Sequence, residues 1–277
     1  MKRLHIGLLM TYNEADVLSE MLKAILPHVD AVFALDGSSD TTPDILRACP
    51  KLEGLLFDHD VVPAGSRVRD GHRQALLEAA RAKFGRGHWF MLLHADEFAH
   101  DDPRTVAAAA EREGAGFVNW AAMQFFLHSS DADLYDAHGK PLEPSVQRRV
   151  RWYSPFWTEV RQFLDVPQFS WSQVAYRPLE HGRVFPRGVG WKPFSRMPVL
   201  KHYPYRSPAQ VAGKSQQPGF SVAHSSAQGV WRETAQPIYR TARRLEHPDA
   251  PDFGEFELRR QKSLLHMVLA QRKLLQR

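Results

Sequence analysis

Hydrophobic and polar positions follow two alternating patterns over the first 126 residues. Short runs of apolar residues are typical of strands buried on both faces, and they alternate with stretches that carry apolar residues at helical spacing. The predicted strands are 4–10, 31–35, 52–57, 89–93 and 117–126. The predicted helices are 14–26, 43–49, 68–84 and 101–113. This order predicts an α/β fold, a Rossmann-like and mostly parallel sheet with helices on both faces.

The pattern changes after residue 127. Proline, aromatic and arginine residues dominate to about residue 205, and short strands are predicted at 146–153, 173–176 and 199–203. From 253 to 275, leucines recur at helical spacing among arginines and lysines. We therefore expect an α/β half over 1–127, an irregular region over 128–252 laid on the same sheet, and a C-terminal helix over 253–277.

Composition narrows the class of protein. With 277 residues, 43% of them hydrophobic, the chain can bury one large core. The single cysteine, Cys49, excludes both a disulfide framework and a cysteine-based zinc site. No apolar run reaches the length of a membrane span and no signal-peptide pattern is seen, so we expect a cytoplasmic protein. The net charge of +5 favours anionic ligands, but no nucleic-acid-binding motif is present.

Polar motifs follow three of the predicted strands directly. They are Thr11-Tyr12-Asn13-Glu14, Asp36-Gly37-Ser38-Ser39-Asp40 and His94-Ala95-Asp96-Glu97. Each motif alone is weak evidence, because such residues also cap helices and form ordinary turns. The carboxyl ends of parallel strands meet at one edge of a sheet, where ligands bind in open α/β folds. Acidic side chains there indicate a divalent cation that binds phosphates.

Three other segments are candidates for charged chemistry. Arg67, Arg69, Asp70 and Arg73 enter a predicted helix, where arginines either bind phosphates or form a solvated face. His202 lies in the basic segment 201–207 and is a candidate ligand for a metal or a phosphate. Asp131-Ala132-Asp133 is a second acidic motif, for which a solvated loop is the better interpretation.

Taken in order, the motifs resemble family 2 glycosyltransferases with the GT-A fold, best over residues 4–100. Segment 201–207 looks like the closing motif of a branch of these enzymes. The resemblance implies a nucleoside-diphosphate-sugar donor, UDP-type favoured, with Mn²⁺ or Mg²⁺ on the diphosphate. It also implies transfer with inversion to the hydroxyl of a saccharide or lipid-linked acceptor, and it makes residues 1–127 the nucleotide-sugar-binding half.

The resemblance also implies roles for individual residues. The donor nucleotide would be bound by Thr11, Tyr12, Asn13, Glu14, Asp36, Arg67, Arg73, His94, Ala95, Lys201 and Arg206. The metal would be bound by Asp96 and His202. One departure is that His94 stands where the family motif usually opens with Asp, so this site has one negative charge fewer.

The acceptor side is poorly determined by sequence. A general base is required, and Glu159, Asp165 and Glu180 are the candidates. The tryptophans of this half, which serve either as a sugar-stacking platform or as core, are Trp152, Trp157, Trp171 and Trp191. The helix at 253–277 either contacts a membrane surface peripherally or docks on protein.

Two other functions stay open at this point. A nucleotidyltransferase also uses an α/β nucleotide site, but it would carry a glycine-rich signature where Thr11-Tyr12-Asn13-Glu14 stands. A non-catalytic module that binds nucleotides or polyanions would bind in a strongly salt-dependent way.

Overall fold

Residues 2–57, 70–167, 192–215 and 243–244 are described by the computed structural model of the chain. They divide into two compact units. The first unit contains 2–57, 70–121, 158–167 and 192–200, and the second contains 122–157, 201–215 and 243–244. Within these described ranges, no helix is long and apolar enough to cross a membrane. The three-part division expected from the sequence stays a prediction, because 253–277 lies outside the described residues.

The secondary structure alternates between strands and helices, as expected. The strands are β1 His5–Thr11, β2 Ala31–Asp36, β3 Leu52–Phe57, β4 Trp89–His94, β5 Glu97–Ala99, β6 Phe117–Phe126, β7 Trp152–Leu164, β8 Val199–His202 and β9 Arg243–Arg244. The helices are α1 Leu18–Ile25, α2 Thr42–Arg47, α3 Asp70–Phe84, α4 Pro103–Arg112, α5 Val146–Arg149 and α6 Pro208–Ser215. Two short 3₁₀ segments lie at Leu26–His28 and Ser129–Leu134.

The strands form one sheet in the order β3-β2-β1-β4-β7-β6-β8-β5, and β9 pairs with β7. Strands β1 to β4 run parallel to one another, whereas β7 is antiparallel to β4. The chain moves from β1 to β2 and β3 on one side, and β4 then lies on the other side of β1. This reversal makes the carboxyl ends of β1 and β4 a topological switch point, where open α/β sheets bind ligands. The predicted α/β fold is confirmed.

The core of the first unit lies between the parallel strands and α3. Leu76 and Leu77 of α3 are fully buried with Phe90 and Leu92 of β4 and Phe163 of β7. Burial of such side chains is worth about 1.5–3 kcal/mol each. The core therefore fixes α3 firmly against β4 and β7. The same packing holds the polar residues at the ends of these elements in place.

The main difference from the predicted elements lies at 146–153. A strand was expected there, but Val146–Arg149 is helical and the strand begins at Trp152. Val146 and Val150 are both buried, and their spacing of four residues is that of a helix face. The strand expected at 199–203 is confirmed as β8, whereas 173–176 and 253–275 lie outside the described residues.

Candidate active site

The carboxyl ends of β2, β1 and β4 lie side by side and bring the three polar motifs to one edge. Thr11 of β1 pairs with Asp36 of β2, and Met10 pairs with His94 of β4. Asp96 follows His94 by two residues, in the turn that leads to β5. The acidic residues of two separate motifs therefore flank the same strand end.

The turns after β1 and β2 are joined by a hydrogen-bond network. Thr11 Oγ1 and Ser38 Oγ both donate to Asp36 Oδ1, at 2.7 Å and 2.6 Å. The Asn13 N–H donates to Ser38 Oγ at 2.7 Å, and the Ser39 N–H donates to Asn13 Oδ1 at 2.8 Å. Asn13 has a φ of 53°, a left-handed conformation that asparagine tolerates better than most residues. Asp36 is only 1% exposed, so its orientation is fixed.

The same two turns also hold the start of the next helices. The Glu14 N–H donates to Thr42 Oγ1 at 3.0 Å, and the Thr42 N–H donates to Asp40 Oδ1 at 2.9 Å. Tyr12, between these bonded residues, is 49% exposed. An aromatic ring is thus exposed to solvent in the turn that follows β1.

The turn after β4 is tied to β7 and α3 by charged side chains. Arg161 Nη2 donates to Glu97 Oε1 at 2.6 Å and lies 3.2 Å from Glu159 Oε2. Arg73 Nη1 donates to Glu159 Oε1 at 2.8 Å, and Arg73 Nη2 lies 3.5 Å from His94 Nε2. We call these five residues the ionic network. It begins and ends within the same motif, because Glu97 and His94 are three residues apart.

The antiparallel pairing of β7 with β4 explains why Glu159 reaches this edge. Phe163 pairs with Phe90 and Gln162 with Met91, so the strands run in opposite directions along their contact. Continued at this register, β7 brings Glu159 level with His94. The pairing of Arg161 with Glu97 was not predicted, since the two residues are 64 positions apart. The one sequence signal was an alternation of charges in 159–161 beside apolar neighbours.

The ionic network sets the charge states of two of its members. Burial, together with the guanidinium groups of Arg161 and Arg73, holds the pKa of His94 well below its usual 6.5, so the ring is neutral at pH 7. Burial by itself raises the pKa of Glu159, but Arg161 and Arg73 outweigh it and lower that pKa to about 2. A carboxylate with so low a pKa is a weak base, which argues against Glu159 as the general base.

A divalent cation would find few protein ligands at this edge. Across the described ranges, no group of three or more His, Cys, Asp or Glu side chains is arranged to hold a metal. Asp96 is a buried carboxylate in the turn after β4. Mg²⁺ is commonly bound by one or two carboxylates with substrate phosphates completing its shell, so Asp96 fits such an ion. His94 does not extend the ligand set through Nε2, because that nitrogen faces Arg73.

Asp165 is not brought to this edge of the sheet. Asp165 follows Leu164, which pairs with Trp89 at the start of β4, and so it lies at the opposite edge of the sheet. It is fully buried there in an ion pair with Arg81, 2.7 Å between Oδ1 and Nη2. This position removes Asp165 from the candidate bases. Arg67 and Glu180 lie outside the described residues.

Lys201, His202 and Arg206 belong to the second unit. Lys201 is buried, and its Nζ lies 3.4 Å from Gln147 Oε1. Arg206 is also fully buried and donates from Nη1 to the backbone oxygen of Tyr203 at 3.2 Å. These contacts are typical of residues that stabilise the fold. The nucleotide and metal roles expected for this segment stay predictions.

Other residues of the second unit differ from expectation. Asp131 is only 4% exposed, so the prediction of a solvated loop is wrong for this side chain, whereas Ala132 and Asp133 are exposed as expected. Trp152 stacks on His128 with 4.1 Å between ring centroids, and Phe125 stacks on Tyr203 at 4.5 Å. Tyr203 is therefore a core residue. The side chain of Trp157 and the whole of Trp171 and Trp191 lie outside the described part of the chain.

The sequence of the chain also matches a family model. The model described as glycosyl transferase family 2 covers residues 8–165, which is more than half of the chain. The chain belongs to glycosyl transferase family 2. The matched range begins in β1 and ends just beyond β7, so it includes every member of the ionic network and both joined turns. The family resemblance seen over residues 4–100 is confirmed and extends further.

Comparison of this family 2 chain with solved structures gives low overall similarity. A 4-diphosphocytidyl-2C-methyl-D-erythritol synthase matches with 18% identity and a TM-score of 0.33, over 44% of this chain and 60% of its own. Glucosyl-3-phosphoglycerate synthase of Mycobacterium tuberculosis, solved with phosphoglyceric acid, matches with 19% identity and a TM-score of 0.31, over 44% of each chain. The chain thus spans less than two thirds of either structure. A comparison with curated proteins found no match.

Proposed function

We propose that the chain is a metal-dependent, inverting glycosyltransferase of polysaccharide or glycoconjugate synthesis. Its donor is a nucleoside-diphosphate sugar, with UDP-type donors favoured, and its acceptor is the hydroxyl of a saccharide or a lipid-linked sugar. Family membership supports this class of reaction. The observation that carries the proposal is the common edge of Asp36 and Asp96, on either side of the end of β1.

The joined turns after β1 and β2 are suited to the nucleoside. Asp36 Oδ2 accepts one backbone N–H at 3.2 Å and keeps further acceptor capacity. In this proposal it accepts from the imide N–H of a pyrimidine or from a ribose hydroxyl. Tyr12, Asn13 and Glu14 lie in the turn beside it, and the exposed Tyr12 ring offers a stacking surface.

The turn after β4 is suited to the diphosphate. A Mg²⁺ or Mn²⁺ ion bound by Asp96 and by diphosphate oxygens would supply the positive charge that stabilises the departing nucleoside diphosphate. The acceptor oxygen attacks the anomeric carbon, the bond from that carbon to the diphosphate breaks, and the acceptor proton passes to a base. Among the predicted bases, Glu180 stays a candidate. The low pKa argues against Glu159, and the position at the opposite edge argues against Asp165.

A panel of sugar nucleotides, each with and without Mn²⁺, tests the proposal by thermal shift and by donor turnover. A donor at about a hundred times its Kd should stabilise the native state by about 2.7 kcal/mol and raise the Tm. In Asp96→Asn, the increment that Mn²⁺ adds should disappear. The matched control is Asp44→Asn, whose side chain is exposed in a pair with Arg47 and should leave the increment intact.

Two outcomes contradict the proposal. If no sugar nucleotide raises the Tm and none is hydrolysed or transferred, the chain does not use such donors. If Asp96→Asn keeps the full Mn²⁺ increment, the metal is bound elsewhere.

A further inference from the structure

Three tryptophan side chains are described by the structure, and they differ in how deeply they are buried. Trp89 and Trp120 are 1% and 0% exposed, whereas Trp152 is half-buried at the start of β7. The Nε1 atom of Trp152 is buried and has no hydrogen-bond partner within the described residues, so any part of the indole that solvent reaches is carbon. An indole surface of this kind is suited to packing against an apolar face of a ligand.

His128 covers one face of this indole. The two rings are stacked, with 4.1 Å between their centroids and 22° between their planes, and His128 is also half-buried. Across the described part of the chain, no second ring stacks on Trp152. We call the two side chains the His128–Trp152 stack. Because the imidazole occupies one face of the indole, a ligand ring would have to use the opposite face.

Neighbouring aromatic residues hold the backbone of the stack in place. Tyr153, the next residue of β7, is 7% exposed, and its ring centroid lies 5.4 Å from that of Phe125. Phe125 also stacks on Tyr203, and both of these rings are fully buried. Successive side chains of a strand point to opposite faces, so Tyr153 anchors β7 to the core while Trp152 faces away from it. The stack is therefore built on a rigid part of the second unit.

We propose that the His128–Trp152 stack is the subsite that holds a pyranose ring of the acceptor saccharide. The C–H groups on one face of a pyranose carry small positive partial charges, and the face of an aromatic ring is negative, so the two attract each other. The inference rests on the proposed function, since it names how the acceptor of that reaction is bound. Trp152 contacts the sugar in this role, and His128 is a positioning residue that keeps the indole in one orientation.

Fluorine NMR of the full chain, with 5-fluorotryptophan in place of tryptophan, tests this contact without donor or turnover. The signal of Trp152 is the one that is missing from Trp152→Phe. The probes are the methyl glycosides of glucose, galactose, mannose and N-acetylglucosamine, and at least one of them should shift the Trp152 signal until it saturates. Leu142→Ala is the control, because Leu142 is apolar, 65% exposed and part of the same unit. It should leave the titration unchanged.

The affinity for the glycoside that shifts the Trp152 signal most, measured by saturation-transfer NMR, tests the part played by each ring. Trp152→Phe keeps an aromatic face and should bind within about threefold of the wild type, whereas Trp152→Leu should bind about tenfold more weakly. His128→Ala leaves the indole without its stacked neighbour, so it should weaken binding and move the Trp152 signal of the free protein. His128→Phe restores a stacked ring and should reverse both effects.

UDP separates a saccharide subsite from one that binds a base, because nucleobases also stack on aromatic rings. The proposed function puts the base of the donor at the turns after β1 and β2, so UDP should leave the Trp152 signal where it is. The inference is overturned if UDP shifts that signal, if no glycoside shifts it, or if Trp152→Leu binds the glycoside as tightly as the wild type.

Failure of the proposed function has a different signature. Sugar nucleotides would then neither raise the Tm nor turn over, while the Trp152 signal would still report whether a glycoside binds. Conversely, a chain that transfers sugar while its Trp152 signal ignores every glycoside holds its acceptor elsewhere.

Discussion

Two arginine–carboxylate pairs, one at each edge of the sheet, join α3 to β7 and to the residue that follows it. The two pairs differ in how many of their polar atoms are hydrogen-bonded. At the far edge, Arg81 donates to both oxygens of Asp165, at 3.0 Å and 2.7 Å. At the switch-point edge, Glu159 divides its oxygens between Arg73 and Arg161. The Nε of Arg73 is buried and has no hydrogen-bond partner within the described residues. The first pair is complete within two side chains, whereas the second links three charged side chains of the ionic network.

The largest expected effect in this comparison is that of Asp165→Asn. Removing one partner of a buried ion pair leaves an uncompensated charge and typically costs about 3–5 kcal/mol. We expect the free energy of unfolding, measured by denaturant titration, to fall by about 3 kcal/mol. Nucleotide affinity of the folded protein should not change, because Asp165 lies at the opposite edge from the candidate site.

Asp44→Asn serves as the control for that stability measurement. Asp44 and Arg47 form an exposed pair within α2, and such pairs contribute less than about 1 kcal/mol. Equal losses in the two variants would contradict the interpretation of Asp165 as a structural anchor. Loss of nucleotide binding in folded Asp165→Asn would show that Asp165 also affects the candidate site.

A smaller effect is expected from the pH dependence of Glu159. Its pKa is about 2 in the folded chain against 4.5 ordinarily, so its carboxylate stabilises the fold fully above pH 4.5. This contribution is lost as the pH falls from 4.5 towards 2. The difference in unfolding free energy between wild type and Glu159→Gln should therefore shrink by about 2 kcal/mol over that range. A difference that stays constant would show that Arg73 and Arg161 do not hold this carboxylate ionised.

The smallest effect tests the uncharged part of the switch-point edge. Ser38→Ala removes the hydroxyl that accepts from Asn13 and donates to Asp36, a loss of about 1 kcal/mol in unfolding free energy. Ser39→Ala is the matched control, since its hydroxyl makes only an exposed contact of 3.4 Å with Asn13. That variant should stay within about 0.5 kcal/mol of the wild type. Equal effects in denaturant titration would mean that Ser38 does not join the turns.

The sequence predicts the parallel half of the molecule well, for a physical reason. Strands buried on both faces, such as β2 and β4, are recognised in the sequence as uninterrupted apolar runs that end at a polar residue. Their carboxyl ends can be placed at one edge by topology alone. The common edge of Asp36 and Asp96 therefore follows from sequence before any contact is known.

The rest depends on partners that sequence does not indicate. Strand β7 lacks the uninterrupted apolar run of a buried strand, because Glu159 and Arg161 occupy positions where an apolar side chain is normally expected. Their burial is tolerated only because Arg73 and Glu97 meet them from distant parts of the chain. Asp131 illustrates the same limit, since its polar neighbours indicate a surface loop and the side chain is nevertheless buried.

The joined turns after β1 and β2 have a consequence for how a ligand is received. Asn13, Ser38 and Asp36 hold each other in place through hydrogen bonds. If these turns bind a nucleoside, as proposed, little of its binding free energy would be spent on ordering them. We would then expect a nucleoside to bind at these turns without a slow conformational rearrangement after first contact.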